Sequence, residues 1–347
     1  FGSASNELTL GADYRKVHKN FQYGGGNDAP INIFNPDNNV PQPTNYTFSN
    51  GNDNRTEQYG IYGRANLRPA SGVLLSMGGR MSWWDNHAVN RNAYFNQFSE
   101  SNTRISGKFT PYAGLVLDLN EQLSAYASYT RIFAPQTAND AAGNTLRPRV
   151  GQQFEAGLKG EWLNKQLNGR AAIFRMEDTN RAMTDPANPL FSVASGKMRS
   201  QGVEAEVNGR IAPGWNLSVG YAYTQTKTLE GTPDEKAQLY TFIAPRHNFN
   251  LWTRYQFGAG ALEGFSVGAG LRSTSRMYRL NGDVKFSQGP VTTAALQIGY
   301  RFNKNLDATL TVNNLFDKVY YQRVWAAYGS NYFGDPRNVM VTLRGKF

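Results

Sequence analysis

The feature that most constrains this chain is a period-two alternation of apolar and polar residues, repeated over segments of about ten residues along nearly its whole length. From Trp215 to Gln225 the odd positions Trp215, Leu217, Val219, Tyr221 and Tyr223 are apolar or aromatic, while Asn216, Ser218, Gly220, Ala222 and Thr224 are small or polar. Leu306, Ala308, Leu310 and Val312 stand likewise against Asp307, Thr309 and Thr311. So do Phe154, Ala156, Leu158 and Trp162 against Gln153, Glu155, Lys159 and Glu161, and Val203, Ala205 and Val207 against Glu204, Glu206 and Asn208. Successive side chains of an extended strand point to opposite faces, so each segment predicts a strand with one apolar and one polar face.

This reading gives fourteen strands, near 6–17, 55–67, 73–85, 104–117, 123–133, 151–162, 167–178, 197–210, 215–227, 246–257, 264–275, 290–301, 306–315 and 337–347. Most match the nine to eleven or so residues that a tilted strand needs to cross a bilayer, and exceed the roughly five or six of an ordinary globular sheet. The connections alternate in length. Short turns fall at Leu119–Gln122, Leu163–Gln166, Ala212–Gly214 and Asn303–Asn305. Long polar stretches lie at His18–Asn54, Asn86–Thr103, Ala134–Val150, Thr179–Gly196, Thr228–Pro245 and Phe316–Pro336. Loops short on one side of an antiparallel sheet and long on the other are the pattern of an outer-membrane β-barrel, and a β-sandwich has no reason to sort them this way.

The two faces then identify the solvent. The polar face carries Glu, Asp, Arg, Lys and Gln on nearly every strand, too many charges for a dry interior, so it lines a wet or plugged lumen and the apolar face meets lipid. Tyr14, Trp83, Trp162, Trp215, Tyr223 and Phe257 stand near strand ends, where interfacial aromatic girdles belong. In the last segment Val339, Val341, Leu343, Gly345 and Phe347 are expected to face lipid, and Met340, Thr342, Arg344 and Lys346 the lumen. That places the terminal aromatic at the membrane boundary, where it resembles the recognition signal of outer-membrane assembly.

Composition removes other classes. No run approaches 18 apolar residues, so there is no candidate transmembrane helix, and no signal peptide is visible at the start. Among 347 residues there is no cysteine, which excludes thiolate metal sites and cysteine nucleophiles. The formal charge of +10 is spread over 36 separate Lys and Arg without a basic run, so no nucleic-acid partner is expected. His18, His87 and His247, the three histidines, show no metal-ligand spacing with Asp or Glu, and no Ser/His/Asp set stands out; no enzyme and no metal or cofactor is expected. Glu204 and Glu206 share a face, and are read as lumen-lining charges.

Several words in the chain carry a resemblance. Val312–Tyr321 (VNNLFDKVYY), Tyr332–Arg337 (YFGDPR) and the closing strand resemble the C-terminal signature of TonB-dependent outer-membrane receptors, as do Leu123–Gln136, Phe154–Trp162 and Gln201–Glu206. Within that family the spacing is most similar to the ferric-siderophore branch, of the coprogen, ferrioxamine and pyoverdine receptor kind. The resemblance implies an all-β, transmembrane antiparallel barrel in the bacterial outer membrane, with residues 1–347 as the C-terminal part of a 22-stranded barrel. It also implies an N-terminal plug, absent from this chain, through which the TonB energy-transducing complex acts. The implied function is high-affinity binding and energy-coupled import of a ferric siderophore, of the hydroxamate type, with iron present only as part of that ligand.

A ferric siderophore already satisfies its iron, so its receptor needs aromatic walls and a few donors or cations rather than metal ligands. Trp84 lies on the lumen face by parity with Arg80, near Tyr94 and Phe95; Arg276, Tyr278 and Arg279 cluster in one loop, and Arg323, Trp325, Tyr328 and Tyr332 in the last. Trp84, Tyr278, Arg323, Trp325 and Tyr328 are the expected ligand wall. Lipopolysaccharide and outer-membrane lipid are the expected surroundings. A passive channel for small or hydrophobic solutes is the alternative, and an adhesive surface protein is a further rival.

Overall fold

The computed structural model describes residues 6–24, 32, 34–35, 48, 50–92, 97–231, 236, 245–281, 284–324 and 331–346. Alternating residues build β1 (Glu7–Tyr23), β2 (Asn50–Ala70), β3 (Val73–Asn92), β4 (Gln97–Asp118), β5 (Leu123–Ala134) and β6 (Arg149–Trp162). The chain continues as β7 (Leu167–Thr184), β8 (Ser192–Ala212), β9 (Trp215–Glu230), β10 (His247–Gln256) and β11 (Phe265–Thr274). A hairpin of β12 (Met277–Asn281) and β13 (Val284–Gln288) precedes β14 (Val291–Arg301) and β15 (Leu306–Asn313). A second small pair, β16 (Tyr321–Arg323) and β17 (Tyr332–Phe333), precedes β18 (Asn338–Gly345).

Fourteen of these form one antiparallel sheet in chain order, β1 to β11, then β14, β15 and β18. They correspond one for one, and in order, to the fourteen strands expected from alternation. Among the described residues β1 and β18 each keep one unpaired edge.

The expected loops need correction. Residues 18–54, 86–103 and 179–196 were expected to lie outside the sheet, yet the ladder continues to Tyr23↔Asn50, Asn92↔Gln97 and Thr184↔Ser192. Above the bilayer both faces of a strand are wet, so the apolar stripe disappears while the backbone hydrogen bonds persist. The two small pairs, β12–β13 and β16–β17, likewise lie where loop was expected.

Turn chemistry sets the short connections. Asn120 Oδ1 accepts hydrogen bonds from the amides of Gln122 and Leu123, both at 2.9 Å, and Asn303 Oδ1 accepts one from Asn305 at 2.8 Å. Leu163, Asn164 and Lys165 all take positive φ, closing β6 onto β7. On β4, Gly107 (φ +63) marks a bulge opposite Trp83, where the register passes from Ser82↔Lys108 to Trp84↔Ile105. The inserted residue reverses which parity of β4 faces inward.

The outward face is banded. Tyr59 stacks on Trp83 with centroids 5.2 Å apart and planes 9° apart, and Tyr129 lies 4.9 Å from Phe154. At the opposite end Trp215 meets Tyr255 edge-on at 6.3 Å, Phe257 meets Tyr255 at 4.9 Å, and Phe265 meets Tyr300 at 4.6 Å. Trp162 lies over Gly160 and Gly169, where any Cβ would overlap its ring. Phe154 and Trp162, Tyr223 and Trp215, and His247 and Tyr255 are each separated by eight residues along one face. At about 3.3 Å per residue and roughly 40° of tilt this is roughly 20 Å, close to an outer-membrane apolar band. Between the rows Leu10, Ile61, Phe109, Ile173 and Val267 are exposed, as lipid-facing side chains are. Immediately above Tyr59 and Trp83 the same face turns charged, with Lys16 Nζ 2.6 Å from Glu57 and His18 Nε2 2.9 Å from Asp53.

Candidate functional site

The inward face is polar and held by pairs that cross between strands. Arg80 on β3 is in a salt bridge with Asp13 on β1. Arg170 on β7 reaches Glu204 at 3.3 Å, Glu206 at 3.7 Å and Glu155 at 3.8 Å, while Tyr126 donates its hydroxyl to Glu155 at 2.6 Å. Glu204 and Glu206 therefore line the lumen, joined through one arginine.

The outer mouth is assembled from three parts. On β2 to β4 the inward face is a hydrogen-bonded wall: Asn86 is buried and donates to Asn54 at 2.6 Å and Thr56 at 2.9 Å, and Thr103 meets Thr145 at 3.3 Å. Trp84, opposite Gln58 and Ile105, shares this face. Residues 135–148, the second part, bridge strand ends. Gln136 donates to the Asn180 carbonyl at 2.8 Å and Arg147 to the Ala194 carbonyl at 3.2 Å, fixing this loop against β7 and β8.

The third part joins the two small hairpins. The Tyr321 amide donates to Gln288 Oε1 at 3.0 Å, tying β16 to the end of β13. Lys285 Nζ sits 4.4 Å from the centre of the Tyr278 ring, Arg323 stands 5.6 Å from the Tyr332 ring, and Tyr321 stacks on Phe333 at 4.5 Å. Beneath them a cavity of about 320 Å³ is lined by Asn248, Arg272, Thr274, Met277, Tyr320 and Gln322, among others. Its lining residues from the large sheet are at the outer ends of β10, β11 and β14, and Met277 of β12 and Gln322 of β16 add the hairpins' share.

Of the expected wall residues, Tyr278 and Arg323 fall on the two joined hairpins, whereas Trp84 is on β3, eight strands from β11 in the sheet order. Trp325 and Tyr328 lie outside the described residues, as do Tyr94 and Phe95. Sequence reasoning missed Arg272, Met277, Tyr320 and Gln322. Arg272 had a signal, being a cation at an inward position near a strand's outer end; the others had none, since their placement depends on how the hairpins fold back.

The signature residues close the last long connection. Asn314 is buried at φ +47; its Nδ2 donates to the carbonyls of Lys318 at 2.9 Å and Asp335 at 3.1 Å, and its Oδ1 accepts from the Lys318 amide at 2.9 Å. Asp317 accepts from the Arg337 amide at 2.9 Å, and Asn313 donates to Asn338 at 2.9 Å. The Asn314 side-chain amide holds the backbone where it leaves the ladder.

The histidines face outward. His87 Nδ1 is 2.8 Å from Asn102 Oδ1, and His247 Nδ1 is 2.8 Å from the Tyr221 hydroxyl. Above the aromatic row on β7 and β8, Glu177 is surrounded by Arg175 (2.6 Å), Arg199 (2.9 Å) and Lys197 (3.5 Å). The Arg175 guanidinium beside it, with Arg199 and Lys197, holds its carboxyl down at about 2.

A transmembrane antiparallel barrel wall with one short-turn end and one elaborated outer mouth defines the class. Residues 1–315 match the family model described as TonB dependent receptor-like, beta-barrel, and the chain belongs to that family of outer-membrane proteins. It is 36% identical to the ferric-pyoverdine M114 receptor PbuA of Pseudomonas sp. (strain M114), over 99% of this chain and 43% of the relative. It is 28% identical to the ferrichrome outer membrane transporter/phage receptor of Escherichia coli K12, over 100% of this chain and 46% of that protein. The pyoverdine receptor FpvA of Pseudomonas aeruginosa PAO1, solved with bound pyoverdine, superposes with a TM-score of 0.84 at 32% identity, covering 100% of this chain and 51% of that one. The chain thus spans about half the length of the relatives it matches.

Proposed function

We propose that the protein containing this barrel wall binds a ferric siderophore at its outer mouth and imports it with energy from the TonB complex, acting through a plug that lies outside this chain. The observation that carries this reading is the match across nearly the whole chain to receptors named for ferric pyoverdine, ferrichrome and ferrioxamine B. The ligand class is a ferric siderophore, hydroxamate-type, whose own oxygens hold the iron, so the protein supplies a wall and no resident cofactor or metal. Trp84, Tyr278, Arg323, Trp325 and Tyr328 are assigned to that wall, and Arg272 and Tyr320 join them. The aromatic rings cover the apolar parts of such a complex, and the guanidinium groups meet its anionic oxygens.

Lipopolysaccharide is the proposed neighbour on the outside. Arg131, Arg199 and Lys227 stand on the outward face just above the aromatic row, and Arg175 stands opposite Phe154 within it, where anionic head groups begin.

The test is a titration of the intact receptor with a panel of ferric siderophores, followed by tryptophan fluorescence. Saturable binding of at least one hydroxamate complex, weakened tenfold or more by Trp84→Ala or Arg323→Ala, is expected. Failure of every complex to bind, with solutes diffusing freely through the barrel, would overturn the reading in favour of a passive channel.

A further inference from the structure

The outward face just above the aromatic row differs along the sheet. On β1 to β4 its charges are matched: Lys16 has Glu57 at 2.6 Å, His18 has Asp53 at 2.9 Å, Arg55 is 3.5 Å from the same aspartate, and Asp85 faces Arg104 in register. On β5 to β9 they are not. One register line crosses five strands as Arg131, Gln152, Glu177, Arg199 and Lys227, with Arg175 one step below on β7 and Lys197 one step above on β8. Among the described residues Glu177 is the one carboxylate engaged there; Glu230, opposite Lys197 in register, makes no ion pair, and neither does Arg131 or Lys227. These strands are in the middle of the sheet, away from both unpaired edges, and this face is turned from the lumen.

Glu177 is the buried member of the cluster. Its Oε1 accepts from Arg175 Nη2 at 2.6 Å and from Arg199 Nε at 2.9 Å, and its Oε2 lies 3.5 Å from Lys197 Nζ, so the carboxylate is spent inside the group. Arg199 gives it only that Nε, which leaves both terminal nitrogens without an acceptor among the described residues, on a side chain 31% exposed. Cations drawn together repel, and one carboxylate offsets only part of this; a phosphate at their exposed side completes the balance with charge-assisted hydrogen bonds. Directly below on the same face Ile173 and Val203, opposite one another, are exposed apolar side chains. A soluble anion has no use for an apolar face under its phosphate, whereas a lipid covers it with acyl chains. From Arg131 to Lys227 the line crosses four strand gaps, roughly 19 Å at about 4.8 Å each. That is wider than one phosphate and fits a head group that carries several.

We propose that Arg175, Lys197 and Arg199 form a seat for one phosphate group of a single bound lipopolysaccharide molecule, with Glu177 as the positioning residue beneath it and Arg131 and Lys227 flanking it. The proposal rests on the reading of lipopolysaccharide as the outer neighbour, and narrows it from a general surrounding to one molecule held at β5 to β9. The lipid's acyl chains run down over Ile173 and Val203. Because the protein itself supplies the counter-charge, the phosphate is held without a divalent cation. The matched face of β1 to β4 offers no such seat.

The intact receptor, in detergent with EDTA present, is titrated with diphosphoryl lipid A and read by native mass spectrometry, beside the double variant Lys197→Gln, Arg199→Gln. Wild type is expected to hold one lipid A at least tenfold more tightly than the variant does, and at least tenfold more tightly than it holds lipid A stripped of phosphate. If that variant does not fold, the exposed pair Arg131→Gln, Lys227→Gln carries the same test, with a several-fold loss expected. Glu177→Gln separates positioning from charge: it makes the patch more positive, yet is expected to weaken diphosphoryl lipid A several-fold and leave the dephosphorylated lipid unchanged. Tighter binding by that variant overturns the positioning role. Equal lipid A affinity in wild type and the cation variants overturns the seat and leaves lipopolysaccharide as a general neighbour, whereas a wild type that binds no lipid A overturns both. Dioleoylphosphatidylglycerol held as tightly as lipid A, or inorganic phosphate displacing it at equal concentration, also overturns the seat, and assigns the cations to a phospholipid or to a soluble anion.

Discussion

Tyr59 on β2 lies flat against Trp83 on β3, 5.2 Å between ring centres, and the outward face changes character across this pair. Below it stand Ile61 and Met81; above it stand Glu57 and Asp85, opposite one another in register. The stack itself contributes about 0.5–1.5 kcal/mol beyond burial. Its position marks the outer membrane boundary.

That boundary can be measured with spin labels, because these 347 residues contain no cysteine. A label on Ile61→Cys is expected to relax with oxygen dissolved in lipid, and one on Glu57→Cys, four residues away on the same face, with an aqueous nickel chelate. Equal access of the chelate to both sites would remove the lipid-facing assignment of this face.

Asn314 supplies three hydrogen bonds to the loop that returns the chain to β18. Replacing it with alanine strands two carbonyls and an amide, at a cost of about 2–4 kcal/mol. Asn314→Gly keeps the positive φ without strain but not the bonds, so it is expected to be destabilised nearly as much. Thermal unfolding followed by the heat-induced shift in electrophoretic mobility reads this directly. A glycine variant as stable as wild type would mean that the backbone conformation, not the amide, is what matters.

Glu177 gives the account a pH dependence. Its folded-state carboxyl is held at about 2, below its ordinary value of 4.5, chiefly by Arg175 and then by Arg199 and Lys197. A lowered folded pKa contributes stability that is complete above the unfolded value and is lost as pH falls toward about 2. Glu177→Gln leaves three cations facing one another, so it is expected to be less stable than wild type at pH 7, with the difference shrinking between pH 4.5 and 2. A difference that stays constant across this range would show that the carboxylate's charge contributes nothing.

The membrane-crossing sheet was legible because its physics is periodic. Between the aromatic rows one face must be apolar and the other wet, so Trp215–Tyr223 and Phe154–Trp162 announce both strand and face. The extensions above the rows were not legible, since His18, Asp53, His87 and Asn102 are polar on the outward side and Asn86 and Thr103 are polar on the inward side. Alternation cannot register a strand that is wet on both faces. The site divides in the same way. Trp84 followed from parity with Arg80, but Gln288 holding Tyr321, and the cavity under both hairpins, arise from tertiary folding that leaves no period in the chain.

The central claim is energy-coupled import of a ferric siderophore, and the most direct measurement is uptake of radioactive iron in that form by cells whose sole receptor is the intact protein. The account predicts saturable accumulation that a protonophore abolishes while surface binding persists. Accumulation that follows the external concentration linearly and ignores the protonophore would contradict it.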